Sequence, residues 1–133
     1  VPVTFEVPGD PVPQPRPRVS TAGGFARAYV PAKHPVHAYR QAVAAAARAA
    51  GAGVHGEPVD VVIDLVFARP KSHMRKSGVK PDAPKTPRID LDNCAKAVLD
   101  ALNGVAWEDD SQVTRLVVGK TYGTDGRTTV RIT

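Results

Sequence analysis

Val59, Val61, Ile63, Leu65 and Phe67 stand at alternate positions of one short segment, and no other feature constrains the fold as strongly. Residues two apart in an extended chain point to the same face, so this segment reads as a strand with one apolar side, running to about Phe67. Val3, Phe5 and Val7 alternate with Thr4 and Glu6 in the same way and predict a shorter first strand. Residues 36–50 are Ala-rich and end at Gly51, which predicts a helix with a glycine stop. A second helix is predicted over 92–102, stopped near Gly104, followed by strands near 112–121 and 127–132 joined by a turn containing Gly123 and Gly126. Gly23 and Gly24 lie between candidate short strands at 18–20 and 25–30, a hairpin pattern. The order β, β-hairpin, α, β, α, β, β implies one α+β domain over 1–133, with a mixed or mostly antiparallel sheet and two helices.

Residues 8–18 (PGDPVPQPRPR) hold five prolines. Proline lacks the N–H that a ladder or helix needs, so this stretch is expected as a stiff, extended arm. Residues 69–88 form a long loop with seven Lys or Arg (Arg69, Lys71, Arg75, Lys76, Lys80, Lys85, Arg88) and one acid, Asp82. A loop of that length in a small domain is functional or disordered. The single cysteine, Cys94, excludes an internal disulfide framework and a Cys-rich zinc site. No apolar run is long enough to span a membrane, so no membrane partner is expected and the cytosol is the default setting.

The net charge is +5, but its distribution matters more. Residues 90–110 hold six acids (Asp90, Asp92, Asp100, Glu108, Asp109, Asp110) against one base, Lys96, a local charge of −5; the other 17 bases and 7 acids leave +10 on the rest. An acidic pocket in a basic body suits a metal-dependent phosphodiesterase, whose surface holds the phosphate backbone while the pocket holds a cation. An acidic helix face beside unrelated basic loops has the same charge pattern.

On an ideal helix from Asp92, the residues Asn103, Lys96, Asp100 and Asn93 fall in one polar stripe, and the remaining positions are apolar or small. Asp90 and Asp92, two apart, can converge on one ion; either can equally cap the helix, and Asp92–Lys96 can be a plain surface pair. Glu108, Asp109 and Asp110 follow a turn at Asn103-Gly104, and three adjacent acids repel unless a cation or bases compensate. A return of the chain that brings Asp110 beside Asp90 and Asp92 would give three oxygen donors suited to a hard divalent ion.

The string PRIDLDNCAKAVLDALNGVAWEDDSQV (residues 87–113) closely resembles the signature of RusA-type Holliday junction resolvases. It has an Asp-x-Asp-Asn pair, a Lys four residues after the second Asp, Asp-Ala-Leu on the same helix, then Asp-Asp-x-Gln-Val. The arm ending at Arg18 and the run FARPKSH (residues 67–73) look like phage and prophage members. The resemblance implies catalytic, metal-holding carboxylates at Asp90, Asp92 and Asp110 and an essential lysine at Lys96. It also implies Mg²⁺ (with Mn²⁺ as a substitute), a homodimer with one site per subunit, and paired nicks across a four-way junction. Cys94 stands where many relatives have leucine. Ile89 stands where some carry a base, with Arg88 one step earlier.

Arg16 and Arg18 on the stiffened arm, and Arg69, Lys71, Arg75, Lys76 and Arg88 in the basic loop, are the candidate DNA contacts. Trp107 reads as packing more readily than as a platform for an unpaired base. The four histidines have no metal-ligand spacing. Competing readings are a metal nuclease acting on flaps or forks, a catalytically silent DNA-binding protein, and an aspartyl-phosphate phosphatase. The last fails on its context: Pro84, Pro87 and a basic loop precede the Asp pair instead of a buried strand.

Overall fold

The alternating segment is the central spine of a four-stranded sheet. In chain order the computed structural model, which describes residues 2–24 and 26–133, contains β1 (Val3–Pro8), β2 (Arg18–Ser20), β3 (Arg27–Tyr29), α1 (Pro35–Ala49) and β4 (Val59–Ala68). It continues with β5 (Met74–Arg75), β6 (Gly78–Val79), α2 (Leu91–Leu102), β7 (Val113–Gly123) and β8 (Arg127–Ile132). The main sheet has the order β1-β8-β4-β7. β8 pairs antiparallel with both β1 and β4, while β4 and β7 run parallel. A parallel pair needs a crossover, and the segment containing α2 is that crossover. The fold is α+β with a mixed sheet, as the element order implied. β2 and β3 form the expected hairpin, although Phe25 and the side chain of Arg18 lie outside the described residues.

Register explains why one face is the core. Phe5 aligns with Val130, which aligns with Ile63, which aligns with Val118, so a single apolar row crosses the sheet. Parallel rows bring Val61 and Ile132, and Leu65 and Thr128, to the same side. The helices cover this face, α1 packing on α2 and β1, and α2 lying over β7. Val36, Tyr39, Val43 and Ala47 of α1 are buried at i, i+3, i+7 and i+11, the stripe of an amphipathic helix. The helix begins where His34 caps it, its Nδ1 accepting from the Val36 N–H at 3.0 Å, a use that the histidine spacing did not suggest.

Thr128 is a fully buried polar residue in this core. Its hydroxyl bonds the Tyr39 hydroxyl at 2.5 Å and ties α1 to β8. Burial pushes the Tyr39 phenol up to about 12 from its ordinary 10.0. Since the folded pKa is the raised one, the stability this neutral pair contributes is complete below pH 10 and declines as pH rises toward 12. Tyr39→Phe leaves the threonine hydroxyl unpaired and is expected to cost about 1–3 kcal/mol. Tyr39→Phe combined with Thr128→Val removes both partners and is expected to recover part of that loss in urea unfolding. A double variant less stable than the sum of the singles would show that the bond is not what the pair contributes.

The proline arm is ordered by the body it crosses. Pro11 is buried, Val12 packs on the core, and the Gln14 N–H donates to the Asn93 carbonyl at 2.9 Å. Asp10 sits so close to Gly126 that a side chain there would collide with the Asp10 backbone, which is why the turn into β8 carries glycine. No helix among the described residues is long and apolar enough to cross a membrane.

Candidate active site at the start of α2

The second helix opens on Asp90. Its backbone is extended (φ −65°, ψ 116°), and its Oδ1 accepts from the Asp92 N–H at 3.2 Å, the geometry of an N-cap. Its Oδ2 accepts from the Asn93 Nδ2 at 3.2 Å. The capping use weighed from the sequence is therefore realised in Asp90. Asp92 lies in the first turn, exposed, and its carboxylate accepts no hydrogen bond among the described residues. Both negative charges sit at the positive end of the helix dipole, a favourable placement for the helix.

The opposite side of α2 anchors it. Cys94, Ala95, Ala97, Val98, Ala101 and Leu102 are buried and Leu99 is partly so, leaving the stripe of Asp92, Lys96 and Asp100 toward solvent. Cys94 is 1% exposed, and burial raises its thiol to about 11. It fills its position as a small apolar residue. Lys96 pairs with Asp100 at 3.5 Å, not with Asp92. The Lys96 side chain remains 61% exposed, so the pair holds it weakly.

The second acidic cluster is brought back by Trp107. This residue is fully buried, its Nε1 donates to the Asn103 Oδ1 at 2.8 Å, and its carbonyl accepts from the Gly104 N–H at 2.7 Å. Gly104 has φ +75°, a conformation that suits glycine at the end of a helix. Trp107 is packing, not a platform for bases. Asp109 then caps the short 3₁₀ turn Asp110–Gln112, its carboxylate accepting from the Ser111 N–H and held below the ordinary range first by the Ser111 hydroxyl and then by that backbone bond.

Gln112 fastens the turn to the body. Its Nε2 donates to the carbonyls of His55 (2.6 Å) and Glu57 (2.9 Å), and its Oε1 accepts from the Glu108 N–H (2.8 Å). Sequence reading took this residue only as part of a motif. The available signal was its spacing, since Asp109-x-x-Gln112 is that of a capping box. The Asp110 carboxylate is exposed and accepts no hydrogen bond among the described residues.

Asp90 and Asp92 thus share one helical turn, while Asp110 stands on a separately braced turn. Among the described residues no three His, Cys, Asp or Glu side chains are grouped closely enough to hold an ion. The expected three-carboxylate cage is not preassembled. The donor chemistry still fits Mg²⁺: the free acceptors are exposed carboxylate oxygens, and Mg²⁺ commonly takes one or two carboxylates and completes its shell with water and substrate phosphate.

The basic candidates divide by what they touch. Arg16 is exposed two residues beyond the point where the arm bonds Asn93, so it is carried beside the start of α2. Lys71, Arg75, Lys76 and Arg88 are exposed. Arg69 is engaged internally: its guanidinium donates to the Pro84 carbonyl at 2.7 Å and lies 4.4 Å over the Tyr122 ring. His73 meets the same ring edge-on at 5.6 Å. Together with the β5–β6 hairpin these contacts give the long basic loop a defined path. Lys120, which the sequence did not single out, donates to the Ile89 carbonyl at 2.7 Å.

A helix capped by Asp90, with the exposed carboxylate of Asp92 in its first turn and its apolar side packed into the core of a mixed sheet, defines a small α+β protein with exposed bases on its arm and long loop. Residues 8–133 match the family model described as Endodeoxyribonuclease RusA, and the chain belongs to that family of endodeoxyribonucleases. It is also 35% identical over 135 residues to "Uncharacterized protein YqaN" of Bacillus subtilis (strain 168), a match that covers 98% of this chain and 94% of that protein.

Proposed function

We propose that this protein is a Mg²⁺-dependent endonuclease that resolves four-way DNA junctions by paired symmetric nicks, acting in the cytosol as a homodimer. The observation that carries the reading is the start of α2, where Asp90 and Asp92 are presented on a buried helix within a chain matched by the RusA family almost end to end.

Asp90, Asp92 and Asp110 would hold the divalent ion, Mg²⁺ or Mn²⁺. When bound, that ion supplies polarisation of the scissile phosphate and an acidified water. The remaining work falls to the chain. The buried face of α2 keeps Asp90 and Asp92 in a fixed relation, and the Gln112 hydrogen bonds keep the Asp110 turn in place. Lys96, held only by an exposed ion pair, is free to exchange Asp100 for a phosphoryl oxygen on which charge develops. Arg16, Arg18 and the exposed bases of the 69–88 loop would hold the DNA backbone by charge, with no reading of sequence. Arg69 acts there indirectly, by shaping the loop.

Cleavage of a labelled synthetic four-way junction, with and without Mg²⁺, beside linear duplex and a flap of the same sequence, tests this. Symmetric Mg²⁺-dependent nicks confined to the junction are expected; cutting of flap or duplex alone would make it a different structure-selective nuclease, and binding without cutting would make it a DNA-binding protein. Lys96→Ala is expected to slow single-turnover cleavage about 100-fold or more while changing junction affinity little. An equal loss in both would make Lys96 a DNA contact.

A further inference from the structure

Lys120 occupies a position where a lysine is costly unless it is used. In β7 it aligns with Leu65 of β4, which is 1% exposed, so its side chain leaves the sheet on the face covered by the helices. The residue is half-buried, as a long stem with a charged tip at the rim of the core allows. There the Nζ donates to the Ile89 carbonyl at 2.7 Å. Ile89 is the residue before Asp90, so this bond grips the peptide that leads into the N-cap of α2.

Two further facts argue against a merely structural role. The ammonium stands at the positive end of a helix dipole, where a cation is disfavoured. The one ion pair among the described residues is Lys96–Asp100, so no carboxylate neutralises Lys120 at close range. A half-buried cation bonded only to a neutral carbonyl, one residue before the candidate site residue Asp90, is placed to fix the backbone there.

We propose that Lys120 is a positioning residue of the nuclease site: it clamps the Ile89 carbonyl and so sets the Asp90 carboxylate. The inference rests on the reading of Asp90 and Asp92 as site residues. A misplacement on the order of 1 Å at a reacting centre can lower a rate about 100-fold, so a single clamp is enough to matter.

Lys120→Met keeps the apolar stem and removes the donor; Lys120→Arg keeps a cationic donor; Lys120→Gln is a second neutral variant should the Met protein fail to fold. Single-turnover junction cleavage is expected to fall about 100-fold in Lys120→Met, to be similarly low in Lys120→Gln, and to recover in Lys120→Arg. Junction affinity in EDTA and melting temperature are expected to stay close to those of the parent. The backbone amide signals of Asp90, Asp92 and Asn93, and their broadening by Mn²⁺, are expected to shift in Lys120→Met. Parent-like cleavage in a folded Lys120→Met protein overturns the proposal. So does a parallel loss of melting temperature, affinity and rate that Lys120→Arg does not restore. If the parent protein itself cuts no DNA, the nuclease reading falls, and the amide signals still decide the positioning role: unmoved signals at Asp90 and Asp92 refute it.

Discussion

Asp92→Asn is expected to leave a folded protein that still binds four-way junctions but has lost Mg²⁺-dependent cleavage, by a factor on the order of 10³ or more. The Asp92 carboxylate accepts no hydrogen bond among the described residues, so replacing one oxygen by an amide nitrogen breaks nothing internal. Only its charge and its capacity to hold a cation are lost. Asp90→Asn is the more demanding comparison, because Asp90 also caps the helix through the Asp92 N–H. Asn is about as good an N-cap as Asp, so this variant keeps the cap while removing the charge. Asp90→Ala would confound the two, since losing the cap alone costs about 0.5–2 kcal/mol. Measuring junction binding in EDTA and cleavage in Mg²⁺ on each variant separates the roles. Cutting retained by either Asn variant would remove that aspartate from the metal site.

The largest expected loss of stability is at Trp107. It is fully buried, and its Nε1 bond to Asn103 closes the turn between α2 and the acidic segment. Trp107→Ala is expected to cost about 3–5 kcal/mol. Against a typical total of about 5–15 kcal/mol, that places the variant near unfolding. For a chain of this size, melting should fall by roughly 10–20 °C. Trp107→Phe should cost less, since it keeps most of the buried ring and forfeits the Asn103 bond. A melting temperature within about 2 °C of the parent in Trp107→Ala would show that the residue is not the buried anchor described above.

These two residues differ in how they could be known from the chain alone. The place of Asp92 in the first turn of α2 was legible because the signal is local: two acids, two apart, opening a helix whose other side is apolar. Trp107 was legible only as packing, without its partner, because Asn103 and the bend at Gly104 become neighbours of the indole only after the chain turns back. The same contrast holds for the lysines. Spacing placed Lys96 on the polar stripe of the helix with Asp92 and Asp100, yet its ionic partner is Asp100, not the Asp92 also in reach by spacing. Lys120 carried no local signal, since a lysine in a strand that also shows Leu116, Val117 and Lys120 to different degrees of solvent has no periodic mark of its own.

The sequence by itself determined the elements and their apolar faces, the start of α2 at an acid that could cap it, the stiffness of the proline arm, and membership of a nuclease family through one dense motif. Only the tertiary structure decided that β4 and β7 lie parallel, that the arm crosses α2 at Asn93, that Gln112 fastens the Asp110 turn to residues 55–57, that Arg69 folds back on Tyr122, and that no three acids among the described residues are grouped closely enough to hold an ion. The reason is the range of the forces involved. Backbone sterics, side-chain alternation and capping act within a few residues and leave a pattern in the order of the chain. Sheet register and hydrogen bonds between remote segments depend on which surfaces meet when the core closes, and residues far apart in sequence carry no shared periodicity that would announce the meeting.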